Sequence, residues 1–538
     1  MSETLLRCDL LGDLPALAGQ RWGERKALTF GDRVWNYRQF SDEVDAVARA
    51  LHGIGVRRGD RVALWLPNWP EIQFLFFAVI RIGALAVPLN TRYRANELEF
   101  VLKHCGARFL FGCGRTATTD YDAILAEVLR PTPTGDGGSA FAGMPALSAV
   151  VMLGDFQLPG SIAWGSFRAN AEGAPPPPVA TGIRPADAAM MMFTSGTTGR
   201  PKGVLLNHAG LRLCHDRARI MALDDRDVQL TYLPLFHIYA VGYSVIMSMM
   251  CGASQVLMEF FRGDEALRLM EQHRVTLIHG FEAHFADLLA AQQRSRRDIS
   301  SLRTASFATG ADSVRPLAER VQTELCPTAA SYGLTELWGG ITITGPDATL
   351  SQRCEASGLP QPGIEVRIVD VDSGAELPRG TVGEIQVRSY ARLIEYYQDP
   401  AATAAALDAE GWFRTGDAGL LREDGHLRYF SRYKDMLKVG GENVAPAEIE
   451  ELICKLPGVR AAAVIGQKSE RLQEVPVAFV VTSGSEAPTE ASILEFMRGK
   501  IARFKLPARI VFVDELPMTS TGKVQKEVLR QRLRQEAS

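Results

Sequence analysis

The chain has 538 residues, too many for one hydrophobic core, so several domains or subdomains are expected. With 46% apolar and 22% charged residues it has the make-up of an ordinary water-soluble globular protein, and a net charge of −3 gives no reason to expect nucleic acid or an anionic membrane as a partner. Its 8 cysteines are scattered without a C-x-x-C pair, which indicates neither a disulfide framework nor a zinc site and fits a reducing compartment.

The N-terminal MSETLLRCDLLGDLP lacks the basic-then-apolar order of a signal peptide, so a cytoplasmic location is expected. Ser41-Asp42-Glu43 predicts a helix start, with Val44, Val47, Ala48 and Leu51 as its apolar stripe and Gly53 and Gly55 as its end. Val62 to Leu66 reads as a buried strand, Pro70 to Ile82 as a helix and Ala84 to Pro88 as another strand. Such alternation predicts a parallel sheet covered by helices. Pro/Gly-rich sequence from Pro131 to Ala146 and at Pro175 to Pro178 predicts exposed linkers. The uncharged run Ile238 to Met258 is broken by Gly242, Ser244, Ser248, Gly252 and Gln255, and predicts a buried helix, a turn and a strand rather than a membrane span.

Strand character returns at Thr276 to His279 and Thr304 to Ala308, with helices over Ala283 to Gln292 and Val314 to Glu324. From Gly363, short β-rich segments (IEVRIVD, GEIQVRS, HLRYF) predict a separate β subdomain. A last α+β unit starts near Tyr433, with helices Pro446 to Lys455 and Glu490 to Phe504 and strands Ala461 to Ile465 and Val475 to Val481. The fold class expected is α/β. A large N-terminal domain (residues 1–432) combines parallel-sheet α/β subdomains with a β subdomain, and a small α+β C-terminal domain (433–538) follows.

The most informative stretch is TSGTTGRPKG, Thr194 to Gly203, which follows the apolar run Ala188 to Phe193. Glycines allow sharp turns that present N–H groups to an anion, and the hydroxyls and a lysine add donors. A P-loop is excluded, because Pro201 stands where its second glycine would be and Gly203 replaces the metal-binding hydroxyl after Lys202.

TSGTTGRPKG resembles the signature loop of the adenylate-forming superfamily, which includes acyl-CoA synthetases, coumarate–CoA ligases, luciferases and peptide-synthetase adenylation domains. The resemblance continues through LPLFHIYA (Leu233–Ala240), YGLTE (Tyr332–Glu336), GEI (Gly383–Ile385) and WFRTGD (Trp412–Asp417). It extends to SRYKDMLKVGGENVAPAEIE (Ser431–Glu450) and PMTSTGKVQK (Pro517–Lys526), making seven motifs in the family's order over nearly the whole chain.

The resemblance implies that a carboxylate attacks the α-phosphate of ATP, and that the thiol of CoA then displaces AMP. It implies that Thr194, Ser195, Gly196, Thr197, Thr198 and Lys202 hold the β- and γ-phosphates, and that Thr335 meets the α-phosphate. Glu336, with Thr194 beside it, would bind Mg²⁺, a hard cation suited to oxygen donors. Gly310-Ala311-Asp312 and Tyr332-Gly333 would enclose the adenine, and Asp417 with Arg432 would hold the ribose.

By the same resemblance, Lys523 serves adenylation and Lys438 serves thioester formation after the small domain rotates about Lys434. Gly440, Gly441 and Glu442 belong to the GGEN segment of CoA-using members. Ser431 replaces the usual glycine before Arg432, and Lys526 stands where many members have arginine. His237 would face the junction of acyl pocket and thiol tunnel. Tyr239, Val241, Gly242, Val245, Phe281, Gly333 and Trp338 are pocket candidates by position.

The expected activity is that of an ATP-dependent acyl-CoA ligase for a medium-chain fatty or related apolar acid. An aryl or cinnamic acid is the alternative, followed by an adenylating enzyme that loads a carrier protein. A non-catalytic nucleotide-binding relative is the reading from a different class. Expected partners are the acid, ATP and CoA, with no nucleic acid and no transmembrane segment; a homodimer is the one assembly considered.

Overall fold

The structure is a computed structural model that describes residues 5–116, 119–133, 139–172, 182–194, 201–309, 314–439, 442–444, 446–469, 472–483, 487–498, 500–501, 503–518 and 524–536. Within these, the side chains of residues 131–133, 139–140, 434, 438, 442–443 and 473 lie outside the description.

Runs of apolar residues with no alternation need cover on both faces, and they supply the centre of two large sheets. In the eight-stranded sheet, Arg61–Trp65 lies between parallel neighbours Leu85–Pro88 and Phe109–Cys113, and beyond the former come Ala188–Thr194 and Lys202–Asn207. The seven-stranded sheet runs Thr328–Ala330, Thr304–Phe307, Leu277–Gly280, Val228–Thr231, Ser254–Leu257, Lys26–Phe30, Arg33–Asn36. Its strands are parallel up to Lys26–Phe30, and the last pair is antiparallel. An N-terminal strand thus joins a sheet built some 200 residues later, as its register partners Leu28 and Gln255 show.

The first long helix spans Tyr37–Gly53 and starts a turn before Ser41. Its cap is Asn36, whose side chain accepts from Gln39 N (2.7 Å), while the Gln39 side chain accepts from Asn36 N (2.9 Å). Tyr37 and Phe40 are buried, so the apolar stripe reaches further back than Val44. The 238–258 run becomes a π-helical stretch Ala240–Ile246, a short helix Met247–Cys251 and the strand Ser254–Leu257. Gly252 turns between them at φ +78°, and a Cβ there would come within 2.4 Å of the Trp22 ring. No helix among the described residues is long and apolar enough to cross a membrane.

Part of the first Pro/Gly-rich stretch is not a plain linker: Arg130–Pro133 pairs antiparallel with Ser139–Ala142, and Phe141 and Met144 are buried. Apolar side chains there outweigh the turn-forming composition. The second stretch, Pro175 to Pro178, lies outside the described residues.

The β-rich segments after Gly363 form a four-stranded antiparallel sheet, Glu365–Val369, Gly383–Arg388, Trp412–Leu421 and Leu427–Arg432. From Leu437 onward the apolar side chains form clusters of their own. Strand Val459–Ser469 alternates between them: Val464 packs with Ile449, Ile453 and Met497, and Ile465 with Phe479, Leu529 and Leu533. The helix expected over Glu490 to Phe504 stops at Met497, the last of its buried residues after Ile493, and Gly499, a poor helix former, follows two positions on.

Candidate functional site

The signature loop leaves a buried strand, as expected, but returns as an antiparallel strand rather than entering a helix. Thr194 and Lys202 are cross-strand partners, so one hairpin clamps both ends of the loop. Ser195, Gly196, Thr197 and Thr198 lie outside the described residues. Lys202 Nζ stands 3.9 Å from Asp399 and 5.1 Å from the ring centroid of Tyr396.

Tyr396 belongs to a short strand, Glu395–Tyr396, that adds an edge to this sheet through Val204 and Leu205. Its hydroxyl donates to Glu336 Oε1 at 2.9 Å. Glu336 sits in a single 3₁₀ turn, Thr335–Leu337, and its carbonyl accepts from Leu393 N at 2.6 Å. The carboxylate is partly buried, and among the described residues no lysine or arginine pairs with it. An anionic oxygen that takes a neutral hydroxyl and, among the described residues, no direct ion pair suits a hard divalent cation, so the residues fit Mg²⁺. Thr194, at the end of its strand and partly buried, would add a hydroxyl oxygen.

A second cluster lies where Tyr332 meets the β subdomain. The Tyr332 hydroxyl donates to Asp417 Oδ2 at 2.7 Å, and Arg432 Nε lies 3.1 Å from Asp417 Oδ1. Thr415 Oγ1 accepts from Asp417 N at 3.0 Å, and the Thr415 carbonyl accepts from Arg432 Nη1 at 2.9 Å. Asp417 and Arg432 are brought together because they are cross-strand partners. Tyr429 stacks on Tyr332 with centroids 5.6 Å apart. Burial, then the Asp417 charge, pushes the Tyr332 phenol well above its ordinary pKa, so it stays a donor. A Cβ on Gly333 would overlap the Gly339 carbonyl at 1.7 Å, which explains the glycine after Tyr332. Gly310, Ala311 and Asp312 lie outside the described residues.

His237 is partly buried, its ring 4.7 Å from that of Phe236. Tyr239, two residues on, is pinned by its hydroxyl to Ser306 Oγ at 2.6 Å and packs against Tyr243 (4.6 Å) and Phe281 (5.1 Å). Val241, Gly242 and Val245 are buried in the π-helical stretch. Trp338 is fully buried at φ +61°, a conformation bulky residues avoid. Its ring is accommodated because Gly210 has no side chain: a Cβ there would lie 2.0 Å from Trp338 Cδ2.

Several participants carried no signal in the sequence. Tyr396, Asp399 and Tyr429 lie in ordinary strand or turn contexts. Fully buried Arg217 lies over the Tyr243 ring (3.8 Å) and donates to the Gly340 carbonyl at 2.5 Å. An arginine in an amphipathic helix reads as solvent-facing until the fold is known.

In the C-terminal part, Lys438 lies on the strand Leu437–Val439, opposite Asn443. Its side chain and that of Glu442, with the whole of Gly440, Gly441 and Lys523, lie outside the description. Lys526 Nζ pairs with Glu450 at 2.7 Å, tying the last helix Lys526–Glu536 to helix Pro446–Cys454.

The AMP-binding enzyme family matches residues 16–397, and the AMP-binding enzyme C-terminal domain family matches residues 448–523. The chain is 36% identical to a 3-[(3aS,4S,7aS)-7a-methyl-1,5-dioxo-octahydro-1H-inden-4-yl]propanoyl:CoA ligase of Mycobacterium tuberculosis, over 94% of this chain and 96% of that one. It is 31% identical to the mitochondrial medium-chain acyl-CoA ligase ACSF2 of Macaca fascicularis, over 99% of this chain and 87% of that one. Among solved structures it resembles the anthranilate CoA ligase AuaEII in complex with anthranoyl-AMP (TM-score 0.85, 28% identity, 99% and 98% coverage). It also resembles ATP-bound MatB from Rhodopseudomonas palustris (TM-score 0.82, 27% identity, 97% and 98% coverage).

Proposed function

The chain belongs to the AMP-binding enzyme family and is an acid–thiol ligase, and from that premise we propose that it activates a medium-chain fatty or related apolar acid. The observation that carries the reading of the site is the Tyr332–Asp417–Arg432 cluster, a buried carboxylate held between a buried phenol and an exposed guanidinium. Such a carboxylate can receive ribose hydroxyls, with the Tyr332 ring as a face for adenine. Bound ribose would share Asp417 with the donors it already has.

In the first step a carboxylate oxygen of the acid bonds to the α-phosphorus of ATP, and the bond from that phosphorus to the bridging oxygen breaks. Pyrophosphate leaves and the acyl-adenylate remains. Lys202 offsets charge on the departing phosphates, and Lys523 bridges the acid and the α-phosphate. Mg²⁺, held by Glu336 and Thr194, would neutralise phosphate charge when bound. In the second step the sulfur of CoA bonds to the acyl carbon, AMP leaves with the electron pair, and the thiol proton passes to solvent. Lys438 and the GGEN segment serve this step once the C-terminal domain, residues 433–538, has rotated.

The acid is read from the aromatic cluster of Tyr239, Tyr243 and Phe281, with Trp338 taken as a further pocket residue by its place in the motif. The hydroxyls of this cluster are already spent on Ser306 and Ser331, which favours an apolar acyl group. The packing of Tyr239 between Tyr243 and Phe281 also favours a second reading, a ring-bearing acid, and the dioxo-indanyl ligase of M. tuberculosis acts on one by its name. Acid-dependent ATP–pyrophosphate exchange over a panel of alkyl and ring-bearing acids tests the choice. Adding CoA and detecting AMP and thioester by mass spectrometry separates a CoA ligase from a carrier-loading enzyme. Exchange with ring-bearing acids alone would overturn the first reading in favour of the second.

A further inference from the structure

We infer that Tyr396 is a positioning residue for adenylation: its hydroxyl aims the Glu336 carboxylate while its ring seats Lys202, so one side chain sets both the metal side and the phosphate side of the site. This rests on the roles proposed above for Glu336 and Lys202.

The segment around Tyr396 is tied to both neighbours through backbone as well as side chain. Tyr397 N donates to the Gly203 carbonyl (2.7 Å) and Ile394 N to the Leu205 carbonyl (2.8 Å), next to Lys202 in the same hairpin. Leu393 N donates to the Glu336 carbonyl (2.6 Å), and Tyr396 N donates to Thr403 Oγ1 (3.0 Å). A shift of this strand would therefore move the lysine and the glutamate together.

A phenol suits the task chemically. It is a neutral donor that orients a carboxylate without cancelling its charge, and so leaves the charge for a cation. Lys202 and Glu336 carry opposite charges and contact the same tyrosine, yet among the described ion pairs none joins them. The ring face meets Lys202 while the hydroxyl meets Glu336.

The test uses the full chain with Mn²⁺ as the metal probe and a non-hydrolysable ATP analogue, reading bound Mn²⁺ by electron paramagnetic resonance. Tyr396→Phe keeps the ring and removes the hydroxyl. It should weaken Mn²⁺ binding in the ternary complex about 10-fold, with the KM for ATP at saturating Mg²⁺ within about two-fold of wild type. Tyr396→Leu should weaken the metal equally and also raise the KM for ATP, because Lys202 loses its seat. Thioester formation from supplied acyl-adenylate and the unfolding temperature of Tyr396→Phe should match wild type, which separates positioning from loss of fold. Wild-type Mn²⁺ binding by Tyr396→Phe, with weakened binding by Glu336→Gln, would overturn the inference alone. Unchanged binding by Glu336→Gln as well would overturn the metal reading of Glu336, and the inference with it.

Discussion

The Tyr332 hydroxyl donates to Asp417 over 2.7 Å although the two residues lie 85 positions apart, one beside the seven-stranded sheet and the other in the four-stranded β subdomain. This contact joins two subdomains at a charged, almost fully buried carboxylate. Asp417 is 3% exposed at its side chain, so each donor around it counts for more than it would in water.

The first prediction concerns that pair. Tyr332→Phe removes one donor and leaves the stack on Tyr429, so the KM for ATP should rise about five-fold, the equivalent of one neutral hydrogen bond. Asp417→Ala removes the proposed ribose acceptor and leaves Arg432 without this partner. It should lower kcat/KM for ATP in pyrophosphate exchange by about 100-fold or more. Equal effects of the two variants would show that the phenol, rather than the carboxylate, makes the nucleotide contact.

Gly210→Ala probes the proposed acyl-pocket role of Trp338. The new methyl group would lie 2.0 Å from the Trp338 ring, which is fully buried and held at positive φ, so something must move. Overpacking of this kind should cost about 1–3 kcal/mol in a denaturant melt. The ranking of acids in the exchange assay should change while the KM for ATP does not. An unchanged ranking would remove Trp338 from the acyl pocket.

The two lysines should divide the reaction. Lys523→Ala is expected to abolish acyl-adenylate formation and to spare CoA attack on supplied acyl-adenylate; Lys438→Ala should show the reverse bias. Single-turnover measurement of each half-reaction checks both, and a normal first step in Lys523→Ala would refute its role.

A pH dependence of stability follows from buried histidines. His208 Nδ1 accepts from Leu11 N at 3.0 Å, and burial pushes its pKa down from 6.5 to about 4. The unfolded chain therefore takes up this proton first as pH falls. Stability contributed by neutral His208 is whole above about pH 6.5, is lost on going down towards pH 4, and is constant below. Each such group contributes a slope of at most about 1.4 kcal/mol per pH unit in that window. His208→Gln should flatten the slope of unfolding free energy between pH 6.5 and 4, read from denaturant melts. An identical slope in both proteins would show that His208 does not titrate there.

Local pattern carried much of the architecture. The strand at Arg61–Trp65, the helix at Pro70–Arg81 and the strand at Leu85–Pro88 match their expected spans within one or two residues. Each is a run of apolar residues bounded by Pro, Gly or a charged turn. Element ends were less legible, because the cap at Asn36 and the stop at Met497 depend on which neighbouring side chains are buried. The hairpin at Arg130–Pro133 and Ser139–Ala142 was hidden by its own Pro/Gly content.

The reaction class was legible in the chain through the resemblance that its seven motifs carry to adenylate-forming enzymes. Tertiary structure alone decided how some of the motif residues are held. Tyr396 reaches Glu336 across 60 residues, and Tyr429 backs Tyr332 from another sheet. The N-terminal strand Lys26–Phe30 pairs with Ser254–Leu257, a strand far along the chain. No helical or strand period encodes such contacts. They exist because burying the apolar faces brings distant segments together, and the polar side chains at the seam must then satisfy one another.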